Sequence, residues 1–149
     1  MSVKKAVVVY VHRKHVSHAA IVEQLQALGM AVEEYQLPDE NAGSCSVAGE
    51  LKKYADSGLI VVYVSKQVLE NVCISSLTQL AEKKGVRLVC IWLDEEGATE
   101  VSGSIAGLAD ALTVCSDDLA AVFAGEKEAW DGPDGKALPK RKIKRHTCG

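Results

Sequence analysis

All four histidines fall in two places: His12, His15 and His18 in one short stretch, and His146 two residues before Cys148. Imidazole and thiolate are good zinc ligands. A carboxy-terminal segment folded back onto the first stretch would therefore form a metal site. Nothing in the spacing fixes that fold-back, so exposed histidines beside a ligand mouth are the plainer reading and no metal is assigned. His12 is followed by Arg13 and Lys14, a basic turn whose Arg fork matches phosphate oxygens; a solvated turn is the alternative. Cys73 lies where a helix is expected to begin, and the helix dipole there lowers a thiol pKa. With no histidine beside it in sequence, a packed core thiol is the plainer state. Ser75 and Ser76 follow on the first turn, where serines serve more often as local backbone partners than as nucleophiles. The five cysteines (45, 73, 90, 115 and 148) are odd in number, widely spaced and free of any CxxC pair. Reduced thiols in a cytoplasmic protein are therefore expected.

The elements that must position these residues alternate. Ala6-Val-Val-Val-Tyr10, Leu59-Ile-Val-Val-Tyr-Val64 and Val86-Arg-Leu-Val-Cys-Ile-Trp-Leu93 are apolar runs expected of strands buried on both faces. Ala31-Val-Glu-Glu-Tyr35 alternates and reads as a strand nearer an edge. Leu112-Thr-Val-Cys115 is a short fifth strand. Between them lie a helix capped by Ser17 and carrying Ile21, Val22, Leu25 and Leu28, a helix with Val47, Leu51, Tyr54 and Ala55, and a helix with Cys73, Leu77, Leu80 and Ala81. A weak helix over about 99–109 and a last one from Ser116 to Phe123 complete the set. Gly29, Gly58 and Gly85 stand at three helix-to-strand junctions, where a left-handed residue commonly ends the helix. The grammar is α/β: a single five-stranded, mainly parallel sheet with right-handed crossovers and helices on both faces. The strand order 2-1-3-4-5 of flavodoxin-like folds fits best, since it sets the two strongest central runs side by side.

Ligands of such sheets bind beyond the carboxyl ends of the strands. That rule selects His12, Arg13 and Lys14, then Asp39, Glu40 and Asn41, then Ser65 and Lys66, then Asp94 to Glu96, and finally Ser116 and Asp117. The sequence has no GxxxxGK[ST], no GxGxxG after the first strand and no GxSxG, which sets aside P-loop, Rossmann dinucleotide and nucleophile-elbow chemistry. His12-Arg13 and Ser65 stand where a phospho-acceptor receiver would carry acids. The 149 residues suit one domain, and 48% hydrophobic with 25% charged residues is ordinary globular composition. No apolar run is long enough for a membrane helix, and the opening run is too short for a signal-peptide core.

The formal charge of −3 conceals a division. Residues 136–149 hold six basic residues and no acid, so residues 1–135, with the other eleven basic residues and all 20 acids, carry −9 against +6. The reading is an α/β domain over 1–124 and a basic tail over 125–149, with Trp130 as its anchor. A body of that sign disfavours nucleic acid as a partner; the tail is as well suited to the acidic body or another subunit.

From Lys5 to about Phe123 the chain resembles a bacterial TIR (Toll/interleukin-1 receptor-like) domain. The resemblance rests on Val7-Val-Val-Tyr-Val-His12, on the loop Pro38 to Gly43 where the family has a mobile loop, and on Leu59-Ile-Val-Val-Tyr-Val-Ser-Lys-Gln-Val-Leu-Glu-Asn-Val-Cys73 followed by Arg87-Leu-Val-Cys-Ile-Trp-Leu-Asp94. It implies a cytoplasmic immune or defence signalling protein acting on NAD+ as substrate, by glycosidic cleavage or by making an ADP-ribose-derived signal, with no resident cofactor. It also implies self-association or a protein effector partner. In the resemblance Arg13 holds phosphate, and Ser76, Glu70 and the loop at 39–41 shape the ribose pocket. Cys73 belongs to the Trp-Cys pair that opens the family's helix. The family's catalytic Glu, three residues after that Cys, is Ser76 here, and the Trp is Val72. Ser76 offers no carboxylate to a developing oxocarbenium charge, and Glu70 matches a different family position. A non-catalytic assembly or nucleotide-sensing module is therefore the alternative. A nucleoside deoxyribosyltransferase-like enzyme, which has a similar sheet, is a weaker one.

Overall fold

The computed structural model describes residues 4–40, 42–93, 109–116 and 118–131. The strands are β1 (Lys5–Tyr10), β2 (Ala31–Gln36), β3 (Leu59–Val64), β4 (Arg87–Trp92) and β5 (Ala111–Thr113). All four pairings are parallel and the order is β2-β1-β3-β4-β5, as the crossover grammar of the sequence requires. β3 is bonded on both sides, to β1 and β4, and all six of its residues are buried.

The period of two along each strand divides the core. Val7, Val9, Ile60, Val62, Leu88 and Cys90 face one side. There they meet α2 (Ala48–Leu51), a 3-10 turn (Lys52–Asp56), α3 (Lys66–Leu69) and α4 (Val72–Lys84). Ala6, Val8, Val61, Tyr63, Val89 and Ile91 face the other side, against α1 (His18–Ala27) and α5 (Leu119–Ala124). β2 is more exposed, with Ala31, Glu34 and Gln36 open to water, which fits its polar alternation.

The expected helix from Val47 to Ala55 is broken in two. Val47 takes the cap position of α2, and the chain tightens into the 3-10 turn after Leu51. Ser17 occupies the cap position of α1, but its hydroxyl does not cap; its backbone N–H instead donates to His15 Nδ1 at 2.9 Å. Asp118, rather than Ser116, is the cap residue of α5, and its N–H donates to Ser116 Oγ at 3.3 Å. Of the three junction glycines, Gly29 and Gly85 are left-handed, with φ of 81° and 70°. Gly58 is not; it lets the chain pass close to Lys4, whose Cβ an added methyl would meet at 3.3 Å.

The segment after α5 returns to the sheet. Leu112 donates to Ala129 O and accepts from Asp131 N, at 3.0 and 2.7 Å, in a parallel bridge to Trp130. Trp92 Nε1 donates to Asp131 O at 2.8 Å, and Thr113 Oγ1 bonds Asp131 Oδ2 at 3.0 Å. Trp130 packs against the α4-side core. Residues 125–131, read from the sequence as the start of the tail, thus cover the outer edge of β5. The basic residues 136–149, with His146 and Cys148, and most of the helix expected over 99–109 lie outside the described residues. No described helix is long and apolar enough to cross a membrane.

Gly85→Ala is expected to cost about 1–2 kcal/mol, because an L-residue is strained in left-handed backbone. Nothing lies within 4 Å of the added methyl, so the cost is conformational alone. Urea unfolding of the variant and the parent checks it.

Candidate functional site

The carboxyl ends of the strands form two polar clusters, one on each face of the sheet. On the α4 side, the loop after β2 crosses to the start of α4 and is fastened there. Asn71, nearly fully buried, caps α4: its Oδ1 accepts from Cys73 N at 2.8 Å. Its Nδ2 donates to Pro38 O at 2.9 Å. Glu40 O accepts from Val72 N at 2.8 Å, and Glu40 Oε1 accepts from Ser46 N at 2.9 Å. The Ser46 side chain, and then its backbone N–H, hold the Glu40 carboxyl below its ordinary range. Cys45 and Cys73 form a disulfide that closes the same loop, with Cα atoms 4.8 Å apart.

The expectation of reduced thiols is therefore corrected for this pair. The chain path brings two cysteines 28 positions apart into contact, which no local spacing announces. Cys73, considered as a reactive thiol, has its sulfur engaged in that bond and its side chain fully buried. Cys90 is buried and Cys115 half-buried.

In front of the fastened loop lies an open cleft of about 510 Å³, lined by residues that include His12, Gln36, Pro38, Asp39 and Val47. His12 Nε2 sits 3.5 Å from Asp39 Oδ2, both side chains about half exposed. Two expected ligand residues thus meet across the cleft. Arg13 is exposed on the same turn. Ser65 Oγ accepts from Val68 N at 3.3 Å, which holds the first turn of α3. Ser76 is half-buried on α4, while Glu70 is exposed in the turn before that helix. Asn41, Asp94 to Glu96 and Asp117 lie outside the described residues.

On the α1 side the sheet holds a polar chain that the sequence did not signal. Tyr63 is fully buried, and its hydroxyl lies 2.7 Å from His18 Nδ1. His18 Nε2 is 3.1 Å from Glu34 Oε2, and Lys14 pairs with Glu34. Burial, with smaller effects from Cys115 and Glu34, pushes the Tyr63 hydroxyl well above its ordinary pKa. It therefore keeps its proton and is able to donate to Nδ1 where that nitrogen is unprotonated, an arrangement that leaves the Nε2 hydrogen facing the carboxylate. Lys14 and His18 hold the Glu34 carboxyl below its ordinary range. The rings of His15 and His18 each stand 5.8 Å from Tyr63. Two of the three clustered histidines therefore surround a buried tyrosine, and His12 alone of them lines the described cleft.

Asn71→Ala removes a helix cap and the donor to Pro38 O. A loss of about 1–3 kcal/mol is expected, with faster amide exchange in residues 38–46 read by hydrogen-exchange mass spectrometry. Glu34 gives a pH signature. Because its folded pKa is depressed, its contribution is complete above the ordinary value of about 4.3 and is lost as pH falls through the lower folded value. The stability gap between the parent and Glu34→Gln should be largest at neutral pH and close in acid, as urea midpoints along a pH series would report.

No protein-family model matches the chain, and no curated protein sequence matches it. Solved structures of similar shape include a 3-dehydroquinate dehydratase-like protein from Bifidobacterium longum, with 14% identity over 81% of this chain and 91% of that one and a TM-score of 0.49. A probable glycerol dehydrogenase from Sinorhizobium meliloti 1021 gives 16% identity over 74% of this chain and 32% of that one, with a TM-score of 0.46. A cysteine desulfurase from Thermococcus onnurineus NA1 gives 14% identity over 76% and 28%, with a TM-score of 0.41. The chain spans only about a third of the length of the latter two. At such identities no activity passes from these proteins to this one.

Proposed function

We propose that the chain is a TIR-like signalling module of the cytoplasm that takes NAD+ or a related nucleotide at the carboxyl ends of β1 and β2 and does not split it. The observation that carries this reading is the composition of α4. The helix position matched to the family's catalytic Glu is Ser76, and Glu70 is exposed in the preceding turn. Neither supplies a carboxylate held against a sugar to stabilise an oxocarbenium ion. Binding is supported separately by the open cleft with His12 and Asp39 across it and Arg13 on the same turn, because an Arg fork suits a diphosphate. Self-association or capture of a protein effector would then carry the signal, in the manner of a defence adaptor.

One observation favours the catalytic reading as the second choice. Glu40 is a carboxylate that the fold does carry to the amino end of α4, with Oε1 3.6 Å from Cys73 Sγ. In that reading Glu40, rather than Glu70 or Ser76, faces the ribose.

Incubating the purified chain with NAD+, with calorimetry for binding and mass spectrometry for nicotinamide, separates the two. Saturable binding without nicotinamide release is expected, weakened about tenfold or more by Arg13→Ala, the equivalent of one charge-assisted hydrogen bond. Nicotinamide release that disappears in Glu40→Gln would install the second reading. Absence of both binding and release would sink both.

A further inference from the structure

The acid and the two cysteines that fasten the loop after β2 have a composition their structural role does not require. Glu40, Cys45 and Cys73 bring one carboxylate oxygen and two sulfurs within 4.8 Å of one another. We propose that, when the Cys45–Cys73 bond is reduced, these three residues bind a thiophilic divalent cation, Zn2+ above all, and that the disulfide is the metal-free form of the same site.

Two thiolates and a carboxylate are ordinary Zn2+ ligands, and three protein ligands leave the fourth tetrahedral position open to water or another donor. Bond lengths of about 2.3 Å to sulfur and about 2.1 Å to oxygen put tetrahedral ligand atoms roughly 3.5 Å apart. The present spread is close enough to reach that by side-chain rotation. Cα atoms 4.8 Å apart leave room for the two sulfurs to separate around an ion.

Other bonds besides the sulfur–sulfur bond hold the scaffold. Val72 N on Glu40 O, Ser46 N on Glu40 Oε1, Cys73 N on Asn71 Oδ1 and Asn71 Nδ2 on Pro38 O involve neither sulfur. These bonds orient the ligands as outer-shell partners do in metal sites. The dipole of α4, thirteen residues long, favours a thiolate at Cys73. Asp39 and Val47, next to the cluster in sequence, line the open cleft.

Metal loading and oxidation exclude each other. Binding of Zn2+ to the dithiol releases the two thiol protons. One bound thiolate attacks a small-molecule disulfide and expels one thiolate from it; the second cysteine then attacks the resulting mixed disulfide, expelling the other and forming the Cys45–Cys73 bond. The exchange consumes two protons, reduces the small disulfide to two thiols and frees Zn2+. In a reducing compartment the metal form is favoured; under oxidation the disulfide takes its place.

The test uses the full chain, reduced under anaerobic conditions and freed of reductant, with Zn2+ followed by chelator competition and Co2+ as a spectroscopic probe. One equivalent of metal is expected at this cluster, with a thiolate-to-cobalt charge-transfer band. Oxidised glutathione should release the metal with loss of two titratable thiols. Cys45→Ser and Cys73→Ser should abolish this binding, and Glu40→Gln should weaken it at least about tenfold. A His146→Ala/Cys148→Ser variant should leave it unchanged. The idea is overturned if the reduced parent binds no more metal than Cys45→Ser, or if binding disappears only in the His146/Cys148 variant. The comparison of reduced with oxidised parent involves no substitution, so it stands whatever Cys73→Ser does to folding.

Discussion

β3 is paired on both edges and covered on both faces, so a polar group on it must find its partner inside the protein. Tyr63 is the residue that raises this demand. Its hydroxyl lies 2.7 Å from His18 Nδ1, and meeting it fixes the first turn of α1 against the sheet. His18 in turn is held by Glu34 on β2. One buried hydroxyl thereby ties α1, β2 and β3 together at the carboxyl end of the sheet. Two histidines of a cluster that reads like a metal or phosphate site are accounted for by that packing. His12, the third, faces the cleft with Asp39.

Much of the fold was legible because its causes are local. Buried parallel strands must be apolar throughout, and Ala6-Val-Val-Val, Leu59-Ile-Val-Val-Tyr-Val and Leu88-Val-Cys-Ile are so. Gly85 ends α4 because a left-handed residue is needed there. What the residues did not reveal depends on contacts between distant segments. The bond from Cys45 to Cys73 spans 28 positions and follows from the path of the loop after β2, which no spacing rule encodes. Tyr63 reads as one more apolar strand residue; its relay becomes visible only when α1 is laid over it. Ser17 and Ser116 looked like caps by type; Ser17 holds the cap position but only its backbone N–H bonds, to His15 Nδ1, while Ser116 Oγ accepts from the N–H of Asp118, the residue at the cap position of α5. The return of Trp130 to β5 was signalled only by an isolated tryptophan among turn residues.

The mouth was legible as a place and not as a set of roles. The rule for parallel sheets puts ligands beyond the strand ends, and the cleft with His12 and Asp39 lies there. Yet the residues chosen by family position do not converge. Ser65 holds a helix turn, Glu70 is exposed, Ser76 is half-buried on α4, and Cys73 is bonded to Cys45. Asn71 and Cys45 organise the site instead. Asn71 was hidden because an Asn before a helix is an ordinary cap by sequence; its second bond, to Pro38 O, is a tertiary fact.

That fastening changes what the loop after β2 can do. Mobility is the expectation that the sequence raises for this loop, and a mobile loop can close over a substrate. Here Pro38, Glu40 and Cys45 are each bonded to the start of α4. Motion would require breaking several contacts at once, of which only the sulfur–sulfur bond responds to redox conditions. The Asn71 Nδ2–Pro38 O bond is part-buried, so opening it leaves the amide with reduced access to water. The loop is therefore a fixed wall of the cleft while those bonds persist. A wall fixed in this way keeps the opening of the cleft constant, whereas a loop that closes must release such contacts first.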